Sequence, residues 1–235
     1  MQPEMQYNTQ NAAVLADGAA ASSAQKVLRN TYMLLAMTLL FSAVTAGVSM
    51  AMAVPYGASL ISSLIAIALL WFVVPRTANS GAGILVVFAV TGLLGFGLGP
   101  VLNHYLSFSN GSQIVMLALG ITGAAFTGLS GYALISRKDF SFMRSFLMVG
   151  VLVAFIAGIV SLVAAMVGYP MPALALTVSA MFAFLMCGMI LWQTSEIVNG
   201  GETNYVLATV GLYVSIYNLF TSLLHLLGAF MGERD

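Results

Sequence analysis

Residues 190–205 read ILWQTSEIVNGGETNY and bring Glu196 and Glu202 into one short segment with no lysine or arginine beside them. The chain has only seven acidic side chains in 235 residues, so this concentration asks for a reason. Two close carboxylates can hold a cation or share a proton, and a shared proton makes a pair sensitive to pH. Asn199-Gly200-Gly201 in the same segment suits a tight turn, because glycine accepts positive φ. A solvated turn whose two acids simply face water therefore explains the segment as well as a site does. Glu196 follows Gln193 by three residues and shares its helical face if the helix continues that far.

A second constellation is Thr127-Gly128-Leu129-Ser130-Gly131, a GxSG pattern, with His225 far downstream. A serine nucleophile and a histidine base must come within hydrogen-bond reach of each other. Counted along their helices, Ser130 lies roughly 8 Å and His225 roughly 32 Å from the same membrane face at about 1.5 Å per residue. No enzyme is expected. His104 and His225, without nearby carboxylates, make no metal site, and the lone Cys187 excludes an intramolecular disulfide or a paired-thiol metal centre. No cofactor is expected either. Asn110-Gly111-Ser112 fits the glycosylation sequon, a short pattern that is usually fortuitous.

The elements that position these residues follow from composition. Sixty per cent of the chain is hydrophobic and 6% is charged, against roughly a quarter charged in soluble domains. Continuous apolar runs of about 20 residues predict membrane-spanning helices rather than the alternating strands of a barrel. The fold class is all-α integral membrane, with seven spans at about 31–53, 56–75, 81–103, 112–135, 145–168, 172–195 and 204–230. Residues 1–25 are polar and small and lack a basic region followed by an apolar one, which predicts a disordered cytoplasmic tail ahead of a membrane domain over 26–235.

Seven crossings place Lys26, Arg29, Arg76, Arg137, Lys138 and Arg144 on one side and only Arg234 on the other. Basic loops stay cytoplasmic, so the amino terminus is expected inside and the carboxyl terminus in the periplasm. Dispersed cations and zero net charge give no reason to expect a nucleic-acid partner; membrane lipid is the solvent.

Spans 3 and 4 are rich in small residues: Gly92, Gly95, Gly97 and Gly99 in one, Gly120, Gly123, Ala124, Gly128 and Gly131 in the other. GxxxG at Gly95 and Gly99, and small-xxx-small at Ala124 and Gly128, predict close backbone approach in both. In span 7, Asn204, Ala208, Gly211, Ser215, Asn218, Ser222 and His225 recur at alternating spacings of four and three, which sets one small and polar face along the helix. Such a face is costly against lipid, so the last helix is expected to be enclosed by the others. Interhelical hydrogen bonding and an aqueous cavity both account for the stripe.

KVLRNTYMLLAMTLLFSAVTA (26–46), TGLLGFGLGPVLNHYLS leading to ALGITGAAF (91–126), RKDFSF, and GGETNYVLATVGLYVSIYNLFTSLL (200–224) together resemble the Bax inhibitor family from about residue 25 to the end. The family's G-x-G-P motif stands here as Gly97-Leu98-Gly99-Pro100, and its A-x3-T signature as Ala118 and Thr122, with glycine at 123 where alanine is usual. The resemblance implies a seven-helix bundle with the last helix enclosed.

Within the family the chain is similar to a bacterial inner-membrane modulator of the FtsH protease. That likeness implies binding to an FtsH-type protease complex and restraint of its action on membrane proteins, as a slowly processed competing substrate, with the leader as the handle. The leader could equally be idle. Other members resemble proton-gated calcium leak channels, whose latch pairs an aspartate in span 6 with one in span 7. Those positions are Gln193 and Ser215 here, and neither titrates in that range. Calcium or protons then need Glu196 as a stand-in, with Glu202 and Asn218 nearby.

Overall fold

The computed structural model describes residues 2–232, with side chains from Ser22 onward; among them every regular element is helical. Seven helices are long and apolar enough to cross a membrane. We label them α1 (Gln2–Ala51), α2 (Tyr56–Thr77), α3 (Ala82–Leu106), α4 (Gly111–Ser136), α5 (Arg144–Met166), α6 (Pro172–Val198) and α7 (Tyr205–Met231). They match the seven predicted spans in order. Within α1 the membrane-crossing part is Ser22–Ala51, so residues 22–25, expected in the flexible leader, are helical and begin the first span instead. Ahead of it the backbone is helical from Gln2, through the segment expected to be a disordered leader; the side chains there, Glu4 and Asp17 included, lie outside the described residues, as does Arg234.

Sequence sets the breaks. Pro55 precedes α2 with φ −73° and ψ 153°, and Pro172 opens α6 at its first turn, where a missing N–H costs nothing. Inside α2, Pro75 can neither donate to residue 71 nor avoid its carbonyl, and the helix widens into a π-helical turn over Leu69–Val73 just before it. α6 ends at Val198, and Gly200 beyond it, with φ of 75°, turns the chain back so that the N–H groups of Gly201 and Glu202 both donate to the Glu196 carbonyl, at 2.8 and 3.1 Å.

α7 packs against α1, α3, α4 and α6. In its most apolar stretch 61% of residues are buried, against 11% for α5, and Leu212, Tyr213, Leu219 and Leu224 are shut from solvent on several sides of the helix. The last helix is therefore enclosed over most of its surface, not along the polar stripe alone, with Leu207 and Phe230 near its ends left exposed. α5 touches α6 and little else, through Leu147 against Gly188 and Leu185 against Gly150.

The two glycine-rich spans differ. On α3 a Cβ at Gly95 would overlap Ser42 and Thr45 of α1, one at Gly99 would sit 2.9 Å from the Met50 backbone nitrogen, and one at Gly97 would sit 2.7 Å from Ser63 Oγ of α2. The close approach predicted for span 3 is present. On α4, Gly120, Gly123, Gly128 and Gly131 have nothing within 4 Å of a notional Cβ. That corrects the expectation for span 4: α4 packs through Ile114, Ala118, Thr122, Ser130 and Ala133 on its other face, and the small residues look outward.

Candidate functional site in the last two helices

The polar stripe of α7 meets α6. Ser215 is buried, and its Oγ lies 3.1 Å from Gln193 Oε1 and 3.0 Å from the Gly211 carbonyl, so its one hydrogen goes to either acceptor. Gly211 makes room for the amide, because a Cβ there would approach Gln193 Nε2 to 3.2 Å. Gln193 and Ser215 thus form a neutral α6–α7 contact at the two positions where the family resemblance implies carboxylates.

The remaining candidates have other partners. Glu196 Oε1 accepts the Trp192 indole N–H at 3.2 Å, and the Arg144 guanidinium stands 5.7 Å from the centre of that indole, within cation–π range. Trp192 thus has Glu196 at its N–H and Arg144, from the start of α5, near its ring face. Glu202 Oε1 accepts the Asn204 backbone N–H at 2.7 Å. Asn204 in turn caps α7, its Oδ1 accepting from the Val206 and Leu207 N–H groups at 2.9 and 3.2 Å, and a carboxylate next to a helix N-terminus is electrostatically favourable. Asn218 Nδ2 donates to the Val214 carbonyl one turn back, at 2.8 Å. Ser222 is buried, and His225 Nδ1 lies 2.7 Å from Ser179 Oγ of α6.

Ser130 and His225 are not brought together: Ser130 Oγ lies 3.2 Å from Thr194 Oγ1, while His225 is engaged with Ser179. Among the described residues no cluster of three histidine, cysteine or acidic side chains could hold a metal ion.

Sequence reasoning missed a buried polar tie that joins three helices of the bundle. Tyr213 is 1% exposed, and its hydroxyl lies 2.6 Å from Ser42 Oγ of α1 and donates to the Thr91 carbonyl of α3 at 3.2 Å. One side chain of α7 thus joins α1 and α3. The available signal was a tyrosine in mid-span, which needs a partner for its hydroxyl in an apolar interior.

Two of the segments that carry basic residues are held at one end by the acid-bearing segment between α6 and α7. Asn204 Nδ2 donates to the Ala78 carbonyl and to Asn79 Oδ1, at 3.1 and 2.8 Å. Ser195 Oγ donates to the Lys138 carbonyl and accepts the Phe140 N–H, at 2.9 and 3.1 Å. There Asp139 Oδ1 accepts the Ser141 N–H at 2.7 Å, and that backbone bond, with the Ser141 side chain, holds its carboxyl below the usual carboxylate range. Lys26 and Arg29 at the start of the first span, Arg76, Arg137, Lys138 and Arg144 all belong to this end. Arg137 caps α4 with φ 49°, a conformation glycine takes more cheaply.

The family model described as inhibitor of apoptosis-promoting Bax1 matches residues 24–232. The Escherichia coli protein named modulator of FtsH protease YccA is 47% identical over 213 residues, 91% of this chain and 93% of that one. A Vibrio cholerae relative named only as a membrane protein is 46% identical over 210 residues, 89% and 92% of the two chains. A Pseudomonas aeruginosa protein is 45% identical over 207 residues, 88% and 90%. A match spanning every transmembrane helix, on a seven-helix bundle whose last helix is enclosed, places this chain in the Bax inhibitor family.

Proposed function

We propose that this chain is a multi-pass inner-membrane protein that modulates an FtsH-type protease, acting without chemistry of its own as a slowly degraded competing substrate. The observation that carries the reading is the 47% identity, over nearly the whole of both chains, to a protein named as a modulator of that protease. Two structural features support the mechanism. The chain ahead of Ser22 adjoins the end of the bundle where the cations gather, as a terminal handle requires; basic segments are retained in the cytoplasm. Behind the handle, α1 is fitted to the glycines of α3 and tied to Tyr213 of α7, which slows extraction.

Removal of residues 2–20 tests this directly. Binding to the protease and the rate of processing should both fall, measured by co-purification and by the chain's half-life in cells. Unchanged binding and processing would sink the handle.

The cation-leak reading rests on Glu196 alone, since Gln193 and Ser215 are neutral. Calcium flux through purified protein in liposomes, compared with Glu196→Gln, decides it: equal flux removes the role of that acid, and no flux in the parent removes the leak.

A further inference from the structure

Six cations mark one end of the bundle, and they are not equivalent. The Arg76 guanidinium donates to the Phe72 carbonyl of its own helix, and Arg144 lies over the Trp192 ring. Lys26 and Arg29 are exposed, and among the described residues neither has a carboxylate at ion-pair distance. Both line a cleft of about 600 Å³ between α1 and α4, together with Gln25, Leu28, Tyr32 and Leu134. Tyr32 packs its ring on Phe126 of α4, at 5.8 Å between centroids, and its hydroxyl is shut from solvent without a hydrogen-bond partner.

The chemistry of the walls is split. Two unpaired cations and the Gln25 amide offer charge-assisted hydrogen bonds to an anion, and Arg in particular matches phosphate geometry. Leu28 and Leu134 make the other wall apolar. Beyond Leu134 the outward face of α4 runs through Thr127, Gly123 and Gly120, with open space above its glycines. An anion that needs a charged cradle, an apolar wall and a smooth apolar track beside it is an amphiphile.

We propose that this cleft binds the phosphate headgroup of an anionic phospholipid, with Lys26 and Arg29 on the phosphate and the acyl chains along the open face of α4. The site goes beyond the protease reading and stands whether or not that reading holds. Basic side chains at a membrane surface each add measurably to the binding of anionic lipid, and here two of them converge on one cavity at the base of the first span.

Full-length protein in detergent, titrated with phosphatidylglycerol, phosphatidylcholine or inorganic phosphate and followed by native mass spectrometry, tests the assignment. Phosphatidylglycerol should be retained about tenfold or more over phosphatidylcholine. Lys26→Gln with Arg29→Gln should weaken that retention by about ten- to thirtyfold. Leu134→Trp, which fills the cleft without changing charge, should weaken it too, and it decides the matter if the double variant fails to fold. Arg76→Gln, at the same end but already engaged, should leave retention unchanged. The proposal is overturned if Arg76→Gln costs as much as the double variant, if Leu134→Trp has no effect, or if inorganic phosphate competes with the lipid at equal concentration.

Discussion

On α3, Gly95 and Gly99 receive Ser42, Thr45 and Ser49 of α1, and Gly97 receives Ser59 and Ser63 of α2. On α4, Gly120, Gly123 and Gly128 receive nothing within 4 Å from the described residues. The difference lies in the opposing helices. α1 offers small hydroxyl residues at positions 42, 45 and 49, a ridge at helical spacing, and α2 offers Ser59 and Ser62, which donate to the Gly97 and Leu93 carbonyls. Those hydroxyls compensate the backbone where the helices come closest, as small polar residues do in membranes. No such ridge faces the α4 glycines. Small-residue spacing says that a helix face is smooth; the partner's hydroxyls say whether that face is used inside the chain.

The contrast can be broken by substitution. Gly99→Val should be the most damaging, because its side chain meets the Ser49 side chain and the Met50 backbone; about 3 kcal/mol or more is expected from overpacking, read as a large drop in Tm and in folded yield in detergent. Tyr213→Phe should come next. It strands the Ser42 hydroxyl and the Thr91 carbonyl at the junction of α1, α3 and α7, for about 1–2 kcal/mol in the same Tm measurement. Ser215→Ala removes only the neutral contact with Gln193, and about 0.5–1 kcal/mol is expected, in line with hydrogen bonds between membrane helices.

Gly128→Ala should reverse the sign. With open space around it and a helical backbone, alanine is expected to be neutral or to raise stability by up to about 1 kcal/mol. A loss as large as that of Gly99→Val would mean that α4 is not free, and the comparison would fail.

Neither glycine seam contains a carboxylate or imidazole, so an acid-dependent contribution is sought outside them, in the loop that holds Asp139. The depressed pKa of Asp139 means that its contribution is present above the unfolded carboxyl value and is lost as pH falls through the lower folded value. Because that side chain is fully exposed, Asp139→Asn should remove only a small acid-dependent part of a Tm-against-pH curve.

Most of the architecture was legible because the hydrocarbon core imposes span length and continuous apolarity. All seven helices fall where hydropathy puts them, and the α7 stripe correctly implied enclosure. The first span starts before residue 31 because polar residues at its end still continue the helix, and a hydropathy reading truncates such an end. Of the candidate latch residues, Gln193 and Ser215 lie in contact as neutral groups, while Glu196 bonds to Trp192 instead. The ring face of that indole lies near Arg144 from the start of α5, and no spacing rule in the sequence points to that contact. Tyr213 escaped notice because it lies off the polar stripe, among residues that read as packing.

The glycine seam has a mechanical consequence. α1 and α3 both run away from the basic end, and their contacts extend from Phe41 against Gly92 to Ser49 against Gly99. Tension applied at the amino terminus acts along this row, so every contact is loaded in shear at once rather than peeled one after another. Any pull on the amino terminus would meet this resistance at the first helix, before another segment has moved.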